Sequence, residues 1–255
     1  MDNARSSQCA NAVRTVAVLT LIAAAGLSCG FFSSERPTRN YYIINYTPTS
    51  TTPATSKRPY PITIQIGQFE VQRIFNRLNI IYRFSPNQIQ YYDIENWAVR
   101  PDEMIRDVVY KHMDTVGLVN RVAIDFFDFK PDYRLDGTVE AVEKLDAGDL
   151  FFAHLAMSFS LVRVEDGEQV WNYSFDQRRQ VYSPEMVYTV RTLSSIVQTE
   201  LDVVVNQLDS YLLGITTGTH PVIMPSAQKP QTAGPDSAAS GLDESSFEII
   251  PEKPR

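Results

Sequence analysis

The most constraining feature of the sequence is a long, strict alternation of apolar side chains near its middle. The apolar positions of this row are Phe151, Ala153, Leu155, Met157, Phe159 and Leu161. A period of two residues places such side chains on one face of a β-strand. Asp166-Gly167, a dipeptide typical of hairpin turns, follows the row, and the alternation resumes at Trp171, Tyr173 and Phe175. The fold must therefore be built around a long antiparallel hairpin.

Shorter alternating stretches predict further strands before this hairpin. Ile62, Ile64 and Ile66 alternate with polar residues, and the apolar stretches 80–84 and 89–92 flank the turn residues Ser85-Pro86-Asn87. A short strand is expected around Ile124 and Phe126, and a longer one over 133–140. These patterns predict a sheet of several strands, at least two pairs of which are hairpins.

Two segments have the spacing of amphipathic helices. The first is predicted to begin at Pro101 and to end at Gly117, and the second to have Ser183 as its N-cap, Pro184 next and Gly214 as its stop. Each is apolar on one side only, which is typical of a helix that lies on a surface. We therefore predict an α+β fold, an antiparallel β-sheet with two α-helices packed on one face.

The second face of such a sheet must be solvated or covered. Sizeable side chains point away from the Phe151 row, for example Phe152 and Val162. They are expected either to pack locally or to form an interface with a partner or with a second copy in a homo-oligomer.

The N-terminus has the features of a lipoprotein signal peptide. An apolar stretch over 16–25 is shorter than the roughly 20 residues that span a bilayer, but it suits a signal peptide. It ends in Ala25-Gly26-Leu27-Ser28-Cys29-Gly30, which resembles the lipobox of bacterial lipoproteins although Gly26 stands where Leu is commonest. We predict a signal peptide over 1–28, with diacylglycerol and an N-acyl chain on Cys29. The alternative is an ordinary secretory signal with an incidental cysteine.

Acylation at Cys29 would decide where the protein is held, because two or more acyl chains anchor a protein stably whereas one chain binds only marginally. Cys9 would leave with the signal peptide, so no disulfide could form. Gly30 is not the Asp that retains lipoproteins at the inner membrane in many Gram-negative cells. By that analogy, we expect an outer-membrane protein that faces the periplasm.

Composition and motifs argue against several other functions. A net charge of -7 argues against a nucleic-acid partner. No nucleophile elbow, zinc-protease motif or phosphate loop occurs, and no motif connects His112, His154 and His220. The spacing of the four carboxylates Asp125, Asp128, Asp132 and Asp136 does not match a calcium-binding loop. The sequence therefore predicts neither an enzyme, nor a metal site, nor a cofactor other than the covalent acyl chains.

Several short motifs in order carry a family resemblance over about Thr38 to Gly214. They are Tyr41-Tyr42-Ile43-Ile44, Ile81-Tyr82-Arg83, Gln90-Tyr91-Tyr92, Trp97-Ala98, Asp132-Tyr133-Arg134-Leu135-Asp136-Gly137 and Val170-Trp171. Together with the lipobox, this set resembles the ABC-type transport auxiliary lipoprotein family, the PqiC-like components of MCE (mammalian cell entry) systems.

The resemblance implies a non-catalytic domain over 38–215, with 29–37 as its lipid-anchored linker. Family members accompany an ABC ATPase, a permease and MCE-domain proteins that move phospholipids or other lipids between membranes, and they are expected to dock the MCE component at the outer membrane. The contact surface would be formed by Tyr82, Arg83, Tyr91, Tyr92 and Trp97. For Trp97 the alternative is packing of the hairpin against the first helix.

The family resemblance leaves the C-terminal tail and two alternative functions to be considered. Residues 216–255 are rich in Pro, Ser, Ala and Gly, which predicts a disordered tail that the resemblance does not cover. The alternative function is an envelope-assembly lipoprotein that partners an outer-membrane β-barrel of the lipopolysaccharide-transport type. A lipid-binding carrier is a further reading, and it would need an internal apolar cavity.

Overall fold

The computed structural model describes residues 38–49, 59–127 and 129–217. The predicted signal peptide (1–28), the linker (29–37) with Cys29, and all but the first two residues of the predicted tail lie outside the described residues. The described elements are β1 Asn40–Tyr42, β2 Tyr60–Val71, β3 Asn79–Ser85, β4 Gln88–Trp97, α1 Pro101–Val116, β5 Val119–Ala123, β6 Tyr133–Ala147, β7 Leu150–Arg163, β8 Gln169–Val181 and α2 Met186–Thr217.

The sheet is organised around the fifteen-residue strand β6. One edge of β6 pairs antiparallel with β7 along its whole length, and β7 pairs with β8. The other edge is shared, because β2 runs parallel to the first half of β6 and β3 runs parallel to its last part. β5 extends the sheet beyond β2, and β4 and β1 extend it beyond β3. The result is one eight-stranded sheet with a divided edge.

The predicted α+β class is confirmed, and the long hairpin turns where the sequence indicates, with Gly167 at a φ of 76°. The sheet is mixed, however, because β1–β4, β2–β5, β2–β6 and β3–β6 are parallel pairs. A period of two residues reveals a strand but not the direction of its neighbour. The short strand expected at Ile124 and Phe126 is instead β5, which ends at Ala123.

Both helices lie on one face of the sheet, as predicted. α1 packs on β2 and β5, and α2 packs on β7 and β8. The alternating row of β7 supplies the floor of this layer, with Leu155, Met157, Phe159 and Leu161 all buried. Burial of each such side chain contributes roughly 1.5 to 3 kcal/mol to the free energy of unfolding, so these four residues stabilise the fold substantially.

The segment that follows β1 is held by both helices. The Ile44 amide contacts Sδ of Met104 in α1 at 3.3 Å, and the Asn45 amide donates to Oγ of Ser194 in α2 at 3.2 Å. The Tyr46 hydroxyl lies 2.9 Å from Nδ1 of His112, which is fully buried. Burial lowers the pKa of His112, so the neutral ring accepts the hydroxyl proton at Nδ1. The chain after β1 is thereby fixed to the helix layer.

The ends of the helices follow the predicted signals in one case and depart from them in the other. α1 begins at Pro101 and ends before Gly117, whose φ of 64° is left-handed and whose amide donates to Met113 O. The second helix starts at Met186, three residues after the predicted N-cap, and Ser183 Oγ accepts from the Glu185 amide in the bend before it. Gly214 does not stop α2, which continues to Thr217 and so includes the first two residues of the predicted tail.

Replacing these two glycines by alanine should have opposite effects on stability. Gly117→Ala puts a Cβ at a left-handed φ and should lower the free energy of unfolding by about 1 to 2 kcal/mol. Gly214→Ala adds a better helix former inside α2 and should raise it by up to about 1 kcal/mol. Urea unfolding measures both. A loss at Gly214 as large as that at Gly117 would mean that α2 ends there after all.

Candidate functional site

The predicted contact residues lie on the β3–β4 hairpin and are divided between its two sides. The register pairs Tyr82 with Lys144 of β6, and Lys144 in turn with Ala153 of the row beneath α2. Tyr82 therefore points to the helix side. Because side chains alternate along a strand, Arg83 points to the opposite side. Across the hairpin, Tyr92 accompanies Tyr82 and Tyr91 accompanies Arg83.

On the helix side, the tyrosines form an aromatic cluster around a buried amine. The Tyr82 ring lies 4.2 Å from that of Tyr92 and 5.1 Å from that of Phe84, centroid to centroid. Lys144 Nζ donates to Pro184 O at 2.8 Å, lies 3.4 Å from the Tyr92 hydroxyl and stands over the Phe151 ring. Burial lowers the pKa of Lys144 and raises that of Tyr92 to about 12. Lys144 thus ties the hairpin to the connection before α2.

Exposed apolar side chains surround this cluster at the end of the sheet. Phe84 and Leu150 are each 44% exposed, and Tyr182 is 91% exposed. We call the group formed by Tyr82, Phe84, Tyr92, Leu150, Phe151 and Tyr182 the aromatic end.

On the other side of the hairpin, Arg83 and Tyr91 have different partners. Arg83 donates from Nε to Glu143 at 3.1 Å and from Nη1 to Pro86 O at 2.7 Å. Tyr91 is partly exposed, and the Arg77 guanidinium lies 4.1 Å from its ring centroid. Trp97 is only 1% exposed and belongs to the hydrophobic core. Its burial removes it from the predicted surface and agrees with the packing alternative.

A chain of charged groups crosses the sheet on the side opposite the helices. His154 Nδ1 lies 3.0 Å from Glu143 Oε1, and its Nε2 lies 2.9 Å from Asp176 Oδ1. Each ring nitrogen of His154 thus faces a carboxylate oxygen. Glu143 binds Arg83 with its other oxygen. The network joins β3, β6, β7 and β8, and sequence reasoning missed it because its members share no local motif.

Within the described part of the chain, neither helix covers this side of the sheet, which we call the open face. It has a groove of about 530 Å³ with the apolar walls Phe75, Phe84, Leu145 and Phe152 and with Glu143 and His154 in its lining. A second groove of about 840 Å³ is lined mainly by polar side chains, among them Thr138, Ser158, Ser160, Asn172 and Ser174. Phe152 and Val162 are half-buried here. The open face is therefore mostly polar, with one apolar groove.

The carboxylates near the start of β6 are engaged with their strand neighbours. Asp132 accepts hydrogen bonds from the Thr63 amide and hydroxyl at 2.8 and 2.7 Å, and Asp136 accepts from Arg134 at 2.9 Å. Over the residues that can be described, no three acidic, histidine or cysteine side chains come together as a metal site would require. No helix within those same ranges has the length and apolar character needed to cross a membrane.

A family model described as the ABC-type transport auxiliary lipoprotein component matches residues 42–205, which is more than half of the chain. The chain belongs to this family. The match begins at the last residue of β1 and ends within α2, so it includes β2 to β8, all of α1 and the first part of α2. The resemblance in the ordered motifs is thereby confirmed. A search of curated proteins finds no match to the chain.

Two crystal structures show the fold of this auxiliary lipoprotein in other chains. Protein XCC0632 from Xanthomonas campestris is 20% identical, with a TM-score of 0.56 over 71% of this chain and 99% of that one. An uncharacterized protein is 13% identical, with a TM-score of 0.52 over 67% of this chain and 99% of its own. At these identities the likeness establishes the fold alone.

Isosteric changes at the two carboxylates beside His154 should separate the buried from the exposed part of the network in this auxiliary lipoprotein. Glu143→Gln replaces one acceptor oxygen by an amide group, which then faces a donor of Arg83 or His154. Glu143 is only 2% exposed, so water cannot compensate for the lost contact. We expect this substitution to cost roughly 3 to 5 kcal/mol in the free energy of unfolding. Asp176→Asn removes the charge of a side chain that is 43% exposed and should cost at most about 1 kcal/mol. Equal losses in urea unfolding would contradict the network as described.

Proposed function

We propose that this auxiliary lipoprotein is a non-catalytic subunit of an ABC/MCE-type lipid transport system, held at the outer membrane by acyl chains on Cys29. The observation that carries the proposal is the family match over 42–205. The lipobox-like sequence before Cys29 and the Gly at position 30 support the anchor and its place. Transport energy would come from the ATPase, and this chain would dock the periplasmic MCE component.

The open face is the side on which the proposal places the MCE component. It carries Arg83 and Tyr91 of the predicted contact residues, together with both grooves. Tyr82 and Tyr92 support this surface from behind, because they pack against each other and against Lys144. A mostly polar, wet face with a few aromatic anchors is typical of interfaces between separately folded partners.

Removing the sulfur that would be acylated tests the anchor. Cys29→Ala should move the protein from the membrane fraction to the soluble periplasmic fraction, because two or more acyl chains supply the stable attachment. The matched control is Cys9→Ala, which alters a cysteine within the predicted signal peptide and should leave the protein membrane-bound. Cell fractionation with intact-mass analysis measures both. A Cys29→Ala protein that still sediments with membranes would refute the anchor.

Capture of the MCE-domain protein tests the docking. Tyr91→Ala should reduce its co-purification severalfold, because truncating an exposed aromatic anchor removes interface contacts. Tyr188→Ala is the control, since Tyr188 is equally exposed but lies on α2, on the helix side. Equal effects of the two variants would argue against docking on the open face. Capture of an outer-membrane β-barrel in place of the MCE protein would favour the alternative function, and capture of a second copy would indicate a homo-oligomer.

A bound phospholipid would change the role from docking to carrying. The apolar groove of about 530 Å³ is the described place where an acyl chain would fit. Native mass spectrometry of the purified protein distinguishes the two roles, because a carrier retains lipid and a docking subunit does not.

A further inference from the structure

We infer that the aromatic end rests on the surface of the lipid bilayer that holds the acyl chains, with the strands of β6 and β7 directed away from the membrane. This inference rests on the proposed anchoring at Cys29. It goes beyond that anchoring because a tether alone does not determine which part of a domain touches the membrane.

Three connections bring the exposed apolar side chains to the same end of neighbouring strands. Phe84 lies at the end of β3, just beyond the pairing of Arg83 with Leu145 in β6. Leu150 pairs with Ala147 across the β6–β7 turn, and Tyr182 follows the pairing of Val181 with Phe151. Exposed apolar residues from the β3–β4, β6–β7 and β8–α2 connections therefore form one edge rather than isolated spots.

The direction of β1 connects this edge to the anchor. β1 runs parallel to β4, with Asn40 beside Glu95, and β4 begins at Gln88 next to the aromatic end. The chain thus enters β1 from that end, about 23 Å along β4 from the turn. Residues 29–39 are eleven in number and reach at most about 40 Å. An anchor beside the start of β6, at the opposite end of the sheet, would require the chain to reverse its direction before it enters β1.

The chemistry of the aromatic end suits an interfacial contact of modest depth. Tyrosine is enriched where membrane meets water, because its ring is apolar and its hydroxyl stays hydrated. The exposed charges on the two neighbouring connections include Asp149 and Glu185. Carboxylates do not favour an anionic surface, so the contact should depend on the apolar side chains and not on anionic lipid.

The opposite end of the sheet provides a matched comparison. Phe127 in the loop after β5 is 93% exposed, as exposed as Tyr182. The neighbouring rings of Phe126 and Phe129 lie 5.2 Å apart with the Arg121 guanidinium near both. Exposure of an aromatic ring alone would therefore not distinguish the two ends of the sheet as membrane contacts. The direction of β1 favours the aromatic end.

A fluorophore at each end tests the orientation. Tyr182→Cys and Phe127→Cys each introduce a thiol at an exposed position, and in the acylated mature chain it is the only free one. The full acylated protein is labelled with an environment-sensitive dye and reconstituted into phosphatidylcholine vesicles with and without phosphatidylglycerol. The Cys29→Ala form of each variant in buffer gives the aqueous baseline, and circular dichroism checks that each variant is folded.

We expect a severalfold rise in emission and a shift to shorter wavelength at position 182 in both kinds of vesicle, and baseline emission at position 127. Baseline emission at 182, a shift at 127, a shift at both positions, or a shift at 182 only with phosphatidylglycerol would each overturn the inference. A shift at 182 already present in the Cys29→Ala form in buffer would reveal a protein neighbour and would overturn it too.

Failure of the underlying anchor is recognised separately. Vesicle flotation and intact mass report whether the protein is acylated and bound. If the protein neither floats nor carries acyl chains, the proposed anchoring is wrong and the orientation falls with it. If it floats but the dye at 182 stays in water, only the orientation is wrong.

Discussion

The divided edge of β6 determines where the rest of this structure lies. β2 pairs with Tyr133–Val139 and β3 with Glu143–Leu145, and the register shifts between these two stretches, at Val139 and Ala141. Close approach of β2 depends on Gly137, since a Cβ there would lie 2.2 Å from the Phe69 ring. The irregularity adds one residue to β6, and one extra residue exchanges the two faces of everything after it. Val139 and Val142 therefore both face the helices, whereas strict alternation would put Ala141 there.

This exchange of faces determines on which side of the sheet the next charged residues of β6 lie. Glu143 lies on the open face, where it contacts Arg83 and His154. Lys144 lies on the helix side, where it donates a hydrogen bond to Pro184 O. Buried charges are costly unless partners satisfy them, so each residue holds its surroundings in one arrangement. Glu143 fixes β3 and β7 to each other across β6, and Lys144 fixes the start of α2 to the β3–β4 hairpin. The aromatic end is positioned by these contacts rather than by its own exposed side chains.

The sequence predicts those features of the fold that depend on neighbouring residues in the chain, and it fails for those that depend on tertiary contacts. α1 is correctly bounded because Pro101 and Gly117 act through their own backbone geometry. The end of α2 is misjudged because Gly214 is outweighed by the apolar stripe up to the buried Leu212 and by hydroxyl contacts such as Thr216 to Leu212 O. The last part of β6 and the parallel pairs are unpredicted, since an irregular register breaks the period and a strand's neighbour is a tertiary property. For the hairpin, the motif is visible in sequence, but only the register separates Arg83 and Tyr91 from Tyr82 and Tyr92.

The two surfaces proposed as functional, the aromatic end and the open face, are perpendicular to each other. The aromatic end lies where strands finish, whereas the open face runs along the strands over β6, β7 and β8. If the domain contacts the bilayer through the ends of its strands, as proposed, the open face lies parallel to the membrane normal and remains accessible to a partner. β6 extends roughly 50 Å at about 3.3 Å per residue, so partner contacts can be made well above the lipid headgroups. The proposed membrane contact and the proposed docking surface therefore use different residues except Phe84, which belongs to the aromatic end and also lines the apolar groove.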